Sequence, residues 1–265
     1  FIASETVAQT LHGYEKNNIY LFLRSKFGAE ETLRLMKDYR VGTSKHWPGS
    51  CVFWQTDING SIRTGKVMLY DAETGKRVKE PFNHVTWVHS LLRLPDFNLR
   101  QCFFGEHLLP MNRGKPVAIV ESEKTALVGA YYLPEYVWLA TGGKNGCFNT
   151  DALHVLRGRQ VILYPDIGAT DQWRQKLTQL HNLGIEASIF NYLEEVATDN
   201  ERTAGLDIAD YLLQIEPDQA VLQTMIRKNP MLQKLIDDLQ LTLVSVERYT
   251  PDTDAINKTS TPSKQ

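Results

Sequence analysis

The sequence predicts an α/β protein: a mostly parallel sheet flanked by helices, preceded by a small α+β unit and followed by further helices. Two patterns predict it. From Lys115 onward, short apolar runs alternate with segments of helical spacing. Before that, two stretches rich in β-formers flank Asn59-Gly60, a hairpin signal because both residue types tolerate positive φ. The 265 residues, 42% hydrophobic and 23% charged, can bury the core of one large domain or two modest ones. Lys and Arg (29) nearly balance Asp and Glu (31), so coating of nucleic acid by bulk basic charge is excluded and only a local patch is left. No uninterrupted apolar run reaches the roughly 18 residues of a membrane-spanning helix, so no membrane partner is expected. The chain opens at Phe1 without a signal segment and reads as a trimmed piece of a cytoplasmic protein.

The elements follow in order. Asn18 to Asp38 carries Leu21, Phe22, Leu33, Leu35 and Met36 at helical spacing, broken at Phe27-Gly28, which predicts two short helices. Cys51–Asp57 and Ile62–Tyr70 form the hairpin, and Glu73-Thr74-Gly75 is a second turn. Four strands are expected at Val117–Val120, Tyr136–Ala140, Val161–Tyr164 and Ala187–Phe190, with helices at Lys124–Tyr132, Thr150–Leu156 and Asp171–Leu183 between them. Leu206–Leu213, Gln219–Lys228 and Met231–Leu241 read as three more helices, with Pro217 and Pro230 as breaks. The predicted organisation is an N-terminal unit over residues 1–112, an α/β domain over 113–215, a helical appendix over 216–248 and a disordered polar tail over 249–265.

Cys51, Cys102 and Cys147 lie far apart, and the histidines show no paired spacing, so neither a disulfide framework nor a zinc site is expected. Gly60 to Lys66 matches the spacing of a phosphate-binding P-loop, but Val67 replaces the required hydroxyl residue. Its glycines also fall in a hairpin rather than a strand-to-helix turn. The α/β half offers a better site, because parallel sheets bind ligands beyond the carboxyl ends of their strands. Glu121 follows the first of these strands, Gly142-Gly143-Lys144-Asn145-Gly146 the second, and Asp166 the third. If the first and third strands are neighbours, Glu121 and Asp166 face one crevice, and such a carboxylate pair suits Mg²⁺. Equally, both can serve as helix-capping acids. Gly142, Gly143 and Lys144 present backbone N–H groups and an ammonium suited to phosphate, or form an ordinary turn.

Val117-Ala118-Ile119-Val120-Glu121-Ser122-Glu123-Lys124-Thr125-Ala126 resembles the glutamate motif of the Toprim domain. Val161-Ile162-Leu163-Tyr164-Pro165-Asp166 resembles its second motif, and Leu206-Asp207-Ile208-Ala209-Asp210 is similar to a segment that follows the domain in many primases. The resemblance covers about a hundred residues and extends more weakly to the hairpin upstream; the whole chain resembles primase-like proteins of mobile elements from Bacteroidetes. It implies a Toprim-like fold and Mg-dependent nucleotidyl transfer in the replication of a mobile element. Glu121 and Asp166 are then catalytic. Mg²⁺ or Mn²⁺ would be held weakly by Asp166 and Glu121, with Asp171 and Asp207 as further ligands. The implied partners are single-stranded DNA, nucleotides, and replication or mobilisation proteins. Two positions depart from the motifs: Ser122 stands where a glycine is usual, and Gly168 replaces the second aspartate of Asp-x-Asp, for which Asp171 is the substitute one helical turn on. The loss of a carboxylate opens two alternatives, a non-catalytic scaffold binding DNA or a replication partner, and a nuclease.

Lys124 and Lys144 are the expected phosphate contacts beside the crevice, with Arg174 as a further candidate and Arg157 and Arg159, toward the opposite end of the sheet, as weaker ones. Trp47, Trp54, Trp87 and Phe82, interleaved with Arg40, Lys45, Arg77, Lys79 and His84, form either a base-stacking surface or a core edge with a solvated face.

Overall fold

The computed structural model describes residues 1–143, 146–215, 219, 222, 225, 226 and 229–243. Tertiary contacts gather Phe1–Pro217 into one compact unit and Asp218–Gln265 into a second.

The first unit opens with α1 (Ser4–Ala8), α2 (Asn18–Phe27) and α3 (Ala29–Asp38). Asn17 caps α2 by accepting the Tyr20 N–H at 3.2 Å, and Gly28, at φ 80°, breaks the chain between α2 and α3 as its composition predicts. Strands β1 (Val41–Thr43), β2 (Cys51–Thr56), β3 (Ile62–Met68) and β4 (Val85–Trp87) then form an antiparallel sheet in sequence order, followed by the short α4 (Val88–Leu91). The hairpin is present, but its turn differs from the expected pair of left-handed residues. Only Gly60 has positive φ, and Asp57 organises the loop by accepting the N–H groups of Asn59 and Ser61, each at 2.9 Å. A β-bulge between Gln55 and Thr56 accompanies this longer turn.

Alternation along β2 and β3 sorts their side chains onto two faces. Val52, Trp54 and Val67 pack with Ile2, Val7 and Val88 on one. Phe53, Gln55, Thr64 and Lys66 occupy the other, where Phe53 meets Phe104 edge-to-face at 5.5 Å. The second face looks toward the α/β half.

That half runs β5 (Val117–Val120), α5 (Glu123–Tyr132), β6 (Val137–Ala140), α6 (Thr150–Leu153), β7 (Val161–Leu163), α7 (Thr170–Asn182) and β8 (Ala187–Ile189). Three short helices follow: α8 (Tyr192–Val196), α9 (Asp199–Ala204) and α10 (Ile208–Leu212). The strands are parallel in the order β6-β5-β7-β8, with Val117 opposite both Val137 and Val161. Glu121 and Asp166 therefore leave neighbouring strands, as the crevice argument requires. Val117, Ile119, Val161 and Leu163 send their side chains into a core with Trp173 and Leu180 of α7. Full burial of each aliphatic side chain contributes about 1.5–3 kcal/mol. On the opposite face α5 comes close at Gly129, where an added Cβ would lie 2.4 Å from the Trp138 ring. Phe104 adds an antiparallel bridge to Ala140 at the sheet edge.

Residue 112, where a boundary is expected, lies between the last strand of one sheet and the first of the other, inside the compact unit Phe1–Pro217. In the second unit, α11 (Met231–Asp238) is the described helix. Most of the expected helix Gln219–Lys228, and all of the tail 249–265, lie outside the described residues. Among the described residues, no helix is long and apolar enough to cross a membrane.

Candidate metal and phosphate site

A cavity of about 490 Å³ opens at the carboxyl ends of β5 and β7. Glu121, Asp166, Asp207 and Asp210 line it, and Lys66, Lys76, Arg77, Lys79 and Lys124 bring the opposite charge. The carboxylates come from the parallel sheet and the start of α10. Most of the cations come from β3 and the turn after it, so the site forms where the two sheets meet.

Glu121 ends β5 where the backbone turns into α5. Its carbonyl accepts the N–H groups of both Gly142 and Gly143 at 3.1 Å. Those two N–H groups therefore hold the glycine loop against β5 instead of standing free for a phosphate. Gly143 lines the cavity, while Lys144 lies outside the described residues. Ser122, at the position where the resemblance expects a glycine, caps α5 by accepting the Thr125 N–H at 3.2 Å.

Asp166 is half-buried, and its carboxyl is pushed up to about 8. Burial is the largest cause, followed by repulsion from Asp207, Glu121 and Asp210, with Arg77 opposing. Asp207 is raised too, first by burial and then by Asp210. Its oxygens have structural work: Oδ1 accepts the Ala209 and Asp210 N–H groups at 2.8 and 3.2 Å, and Oδ2 accepts the Thr125 hydroxyl at 2.5 Å. Asp210 returns the favour by accepting the Asp207 N–H at 3.0 Å, a reciprocal cap of α10.

Asp171 is not brought to this cluster. It starts α7 with its side chain fully exposed, 3.5 Å from Arg174, so neither of these two lines the cavity. Gly168 has φ 84° and donates its N–H to Glu194 Oε2 at 2.7 Å, so the position of the missing aspartate is a tight turn anchored by a neighbouring glutamate. Among the described residues, no three His, Cys, Asp or Glu side chains stand together as a ready cage for a metal ion. The donor set still suits Mg²⁺, which keeps several waters and uses one or two carboxylates alongside substrate phosphates.

Lys66 is the residue that sequence reasoning set aside. Its Nζ lies 3.2 Å from Glu123 Oε2 and donates to the Gly142 carbonyl at 2.9 Å. No local signal marked it: Lys66 ends the rejected P-loop spacing on a strand of the hairpin, and its burial follows only from what that strand faces. The aromatic group divides. Trp54 is core and donates to Thr10 at 2.9 Å, whereas Phe82 is exposed and stacks on His84 at 4.2 Å, with Trp47 edge-on to His84 at 5.1 Å. Arg159 is structural, donating to the carbonyls of Leu109 and Asn112 at the other end of the sheet.

The family described as Domain of unknown function (DUF6371) matches residues 17–167, more than half of the chain. The chain belongs to this family. The DUF6371 match takes in Lys66, Arg77, Glu121 and Asp166 and ends before Asp207. No curated protein matches the sequence. Among solved structures, the chain is similar to the RNA polymerase domain of Mycobacterium tuberculosis primase DnaG, with TM-score 0.48 and 10% identity over 82% of this chain and 79% of that one. It is also similar to the primase fragment of the bacteriophage T7 primase-helicase, with TM-score 0.40 and 16% identity over 65% and 70% of the two chains. Against the E. coli primase catalytic core the TM-score is 0.40, with 14% identity over 79% and 76%.

Proposed function

We propose that the cavity binds phosphates of nucleotides and single-stranded nucleic acid with a divalent cation, and that the protein is a primase-like nucleotidyltransferase acting in replication of a mobile element. The observation that carries this reading is the pairing of Asp166, crowded by Glu121, Asp207 and Asp210, with a cationic wall across one cavity. Carboxylates that repel one another gain from a shared cation, and phosphate gains from the wall opposite. Asp166 and Glu121 would hold Mg²⁺ or Mn²⁺, which when bound supplies positive charge to phosphoryl oxygens. Lys76, Arg77, Lys79 and Lys124 bind and orient the phosphates. In the alternative arrangement Asp166 holds the ion and Glu121 instead accepts the proton of an attacking 3′-hydroxyl.

Primer synthesis on single-stranded DNA with Mg²⁺ or Mn²⁺ tests the reading, with Glu121→Gln and Asp166→Asn abolishing it. A parallel calorimetric titration separates the alternatives: metal binding lost in Asp166→Asn supports the enzyme. No binding at millimolar metal supports a scaffold that holds DNA or a replication partner. The observation favouring the scaffold is that Asp207 is committed to capping α10 and position 168 carries no carboxylate. A nuclease would use the same carboxylates with water as the attacking group, and degradation of labelled DNA would reveal it.

Nucleic-acid affinity supplies a further readout. Arg77→Ala with Lys124→Ala should weaken single-stranded DNA binding and lower the salt slope by about one to two, because fewer phosphate counterions are released.

A further inference from the structure

One aromatic cluster stands outside the lining of the cavity. Four rings touch in succession: His46 on Trp47 at 4.3 Å, Trp47 edge-on to His84 at 5.1 Å, and His84 stacked on Phe82 at 4.2 Å. Trp47 roots the group, because it also packs against the core of Val52, Trp54 and Val67. Phe82 ends it with 53% of its surface exposed. The Phe82 and His84 planes differ by only 23°, so His84 covers one face of the phenyl ring and the exposure belongs to the other face and the edge.

Backbone hydrogen bonds join this cluster to the cavity. His84 donates its N–H to the Val78 carbonyl at 3.3 Å, and its Nδ1 lies 3.3 Å from the same oxygen. Val78 donates in turn to the Leu69 carbonyl at 3.0 Å, and Leu69 to that of His84 at 3.2 Å, so three chain segments are tied at one point. Val78 stands between Arg77 and Lys79, which both line the cavity. The row of rings therefore starts one residue from the cationic wall. Lys45, Lys76, Arg77 and Lys79 are exposed, and none of them is in an ion pair among the described residues. Glu80 is the one acid between Lys76 and His84. Open ring faces edged by unpaired cations complement a ligand that alternates flat bases with phosphates. An apolar protein segment would match the rings and leave the charges unmatched.

We propose that Phe82, His84 and Trp47 form a platform beside the cavity on which bases of single-stranded DNA stack. This deepens the nucleic-acid reading above and rests on it for the identity of the strand alone. Arg77 and Lys79 hold phosphates at the cavity mouth, and the neighbouring base lies on Phe82, the ring with an open face. The contact tolerates any sequence, because every base has a π-face. It also adds affinity without neutralising a phosphate, so it releases no counterions.

Anisotropy of a fluorescent oligothymidine, titrated with the full chain in the absence of metal, tests the platform. Phe82→Leu keeps an apolar side chain and removes the ring, and thermal unfolding checks that the fold is intact; Phe82→Met takes its place if that variant does not fold. Affinity should fall by about fivefold or more in Phe82→Leu and return in Phe82→Trp. The salt slope should stay at the parental value, unlike that of Arg77→Ala with Lys124→Ala. A strand of the same length with abasic sites in place of the thymidines should bind the parent and Phe82→Leu equally. Equal oligothymidine affinity in the parent and Phe82→Leu would overturn the platform while leaving the phosphate reading in place if the cation variants still bind more weakly. An equal loss with the abasic strand would also overturn it, since the ring would then act without touching a base. Dependence on Phe82 with no effect of the cation variants would remove the phosphates from the cavity and leave the platform standing. No binding by the parent at low salt would overturn both.

Discussion

Lys66, on the third strand of the antiparallel sheet, forms a buried ion pair with Glu123, in the first turn of the helix that follows Glu121. With its second bond to the Gly142 carbonyl, this lysine ties the antiparallel sheet to two loops of the parallel one. Lys66→Met should destabilise the protein by about 3–5 kcal/mol, because it strands a buried carboxylate. Adding Glu123→Met should restore much of that loss, and urea midpoints of the three variants check it.

The raised Asp166 carboxyl makes stability depend on pH. Between about pH 4 and 8 the folded form holds a proton that the unfolded chain has released, so unfolding free energy falls as pH rises through that window. Glu106, pushed up to about 7 by burial, acts with the same sign. His107, pushed down to about 4 by burial, acts oppositely, and its contribution is lost as pH falls below the ordinary histidine range. Above pH 7 Asp166 contributes about 1 kcal/mol per pH unit, and Asp207 and the buried thiols of Cys51, Cys102 and Cys147, all raised by burial, act with the same sign. Urea unfolding at pH 7, 7.5 and 8 should show a slope in Asp166→Asn that is shallower than in the parent by about 1 kcal/mol per pH unit.

Thr125 and Asp207 are joined by a hydrogen bond across 82 residues of sequence. Thr125→Val should cost about 1.5–3 kcal/mol, as for a bond to a charged group. Asp207→Ala, which also removes the cap of α10, should cost at least as much. Since both remove the same bond, the double variant should lose less than their sum. Full additivity would mean that the bond contributes nothing.

Two glycines should respond to alanine for different reasons. At Gly142 the added Cβ would find ordinary contacts, 3.4 Å from Gln55 and Glu123, but φ of 81° imposes about 1–2 kcal/mol of backbone strain. At Gly129 the helix backbone suits alanine, and the cost, about 1–3 kcal/mol or more, comes from the Trp138 ring at 2.4 Å. Trp138→Leu should therefore rescue Gly129→Ala and leave Gly142→Ala unchanged in thermal unfolding.

Much of the architecture was legible in local pattern. The four apolar runs became β5 to β8, with boundaries moved by a residue at most at either end. The pair of helices around Gly28 formed as expected, because each follows from periodicity and a single breaker residue. Short elements escaped. Strands β1 and β4 are three residues each, too brief to show alternation, and exist because β2 and β3 offer them edges. Trp54 stayed open between a stacking surface and a core edge because composition cannot say which face of a strand is covered; α1 and α4 cover this one.

By itself, the sequence determined that Glu121 and Asp166 end strands of one parallel sheet, since runs of apolar residues separated by helices leave few other topologies. Tertiary structure alone decided what stands opposite them. Lys66 and Arg77 precede Glu121 by tens of residues, and no local rule links an antiparallel strand to a parallel-sheet crevice. It also separated Asp171 from the site and committed Asp207 to a helix cap. The reason is physical: backbone propensity acts over a few residues, whereas Coulomb interaction and burial depend on distance through space.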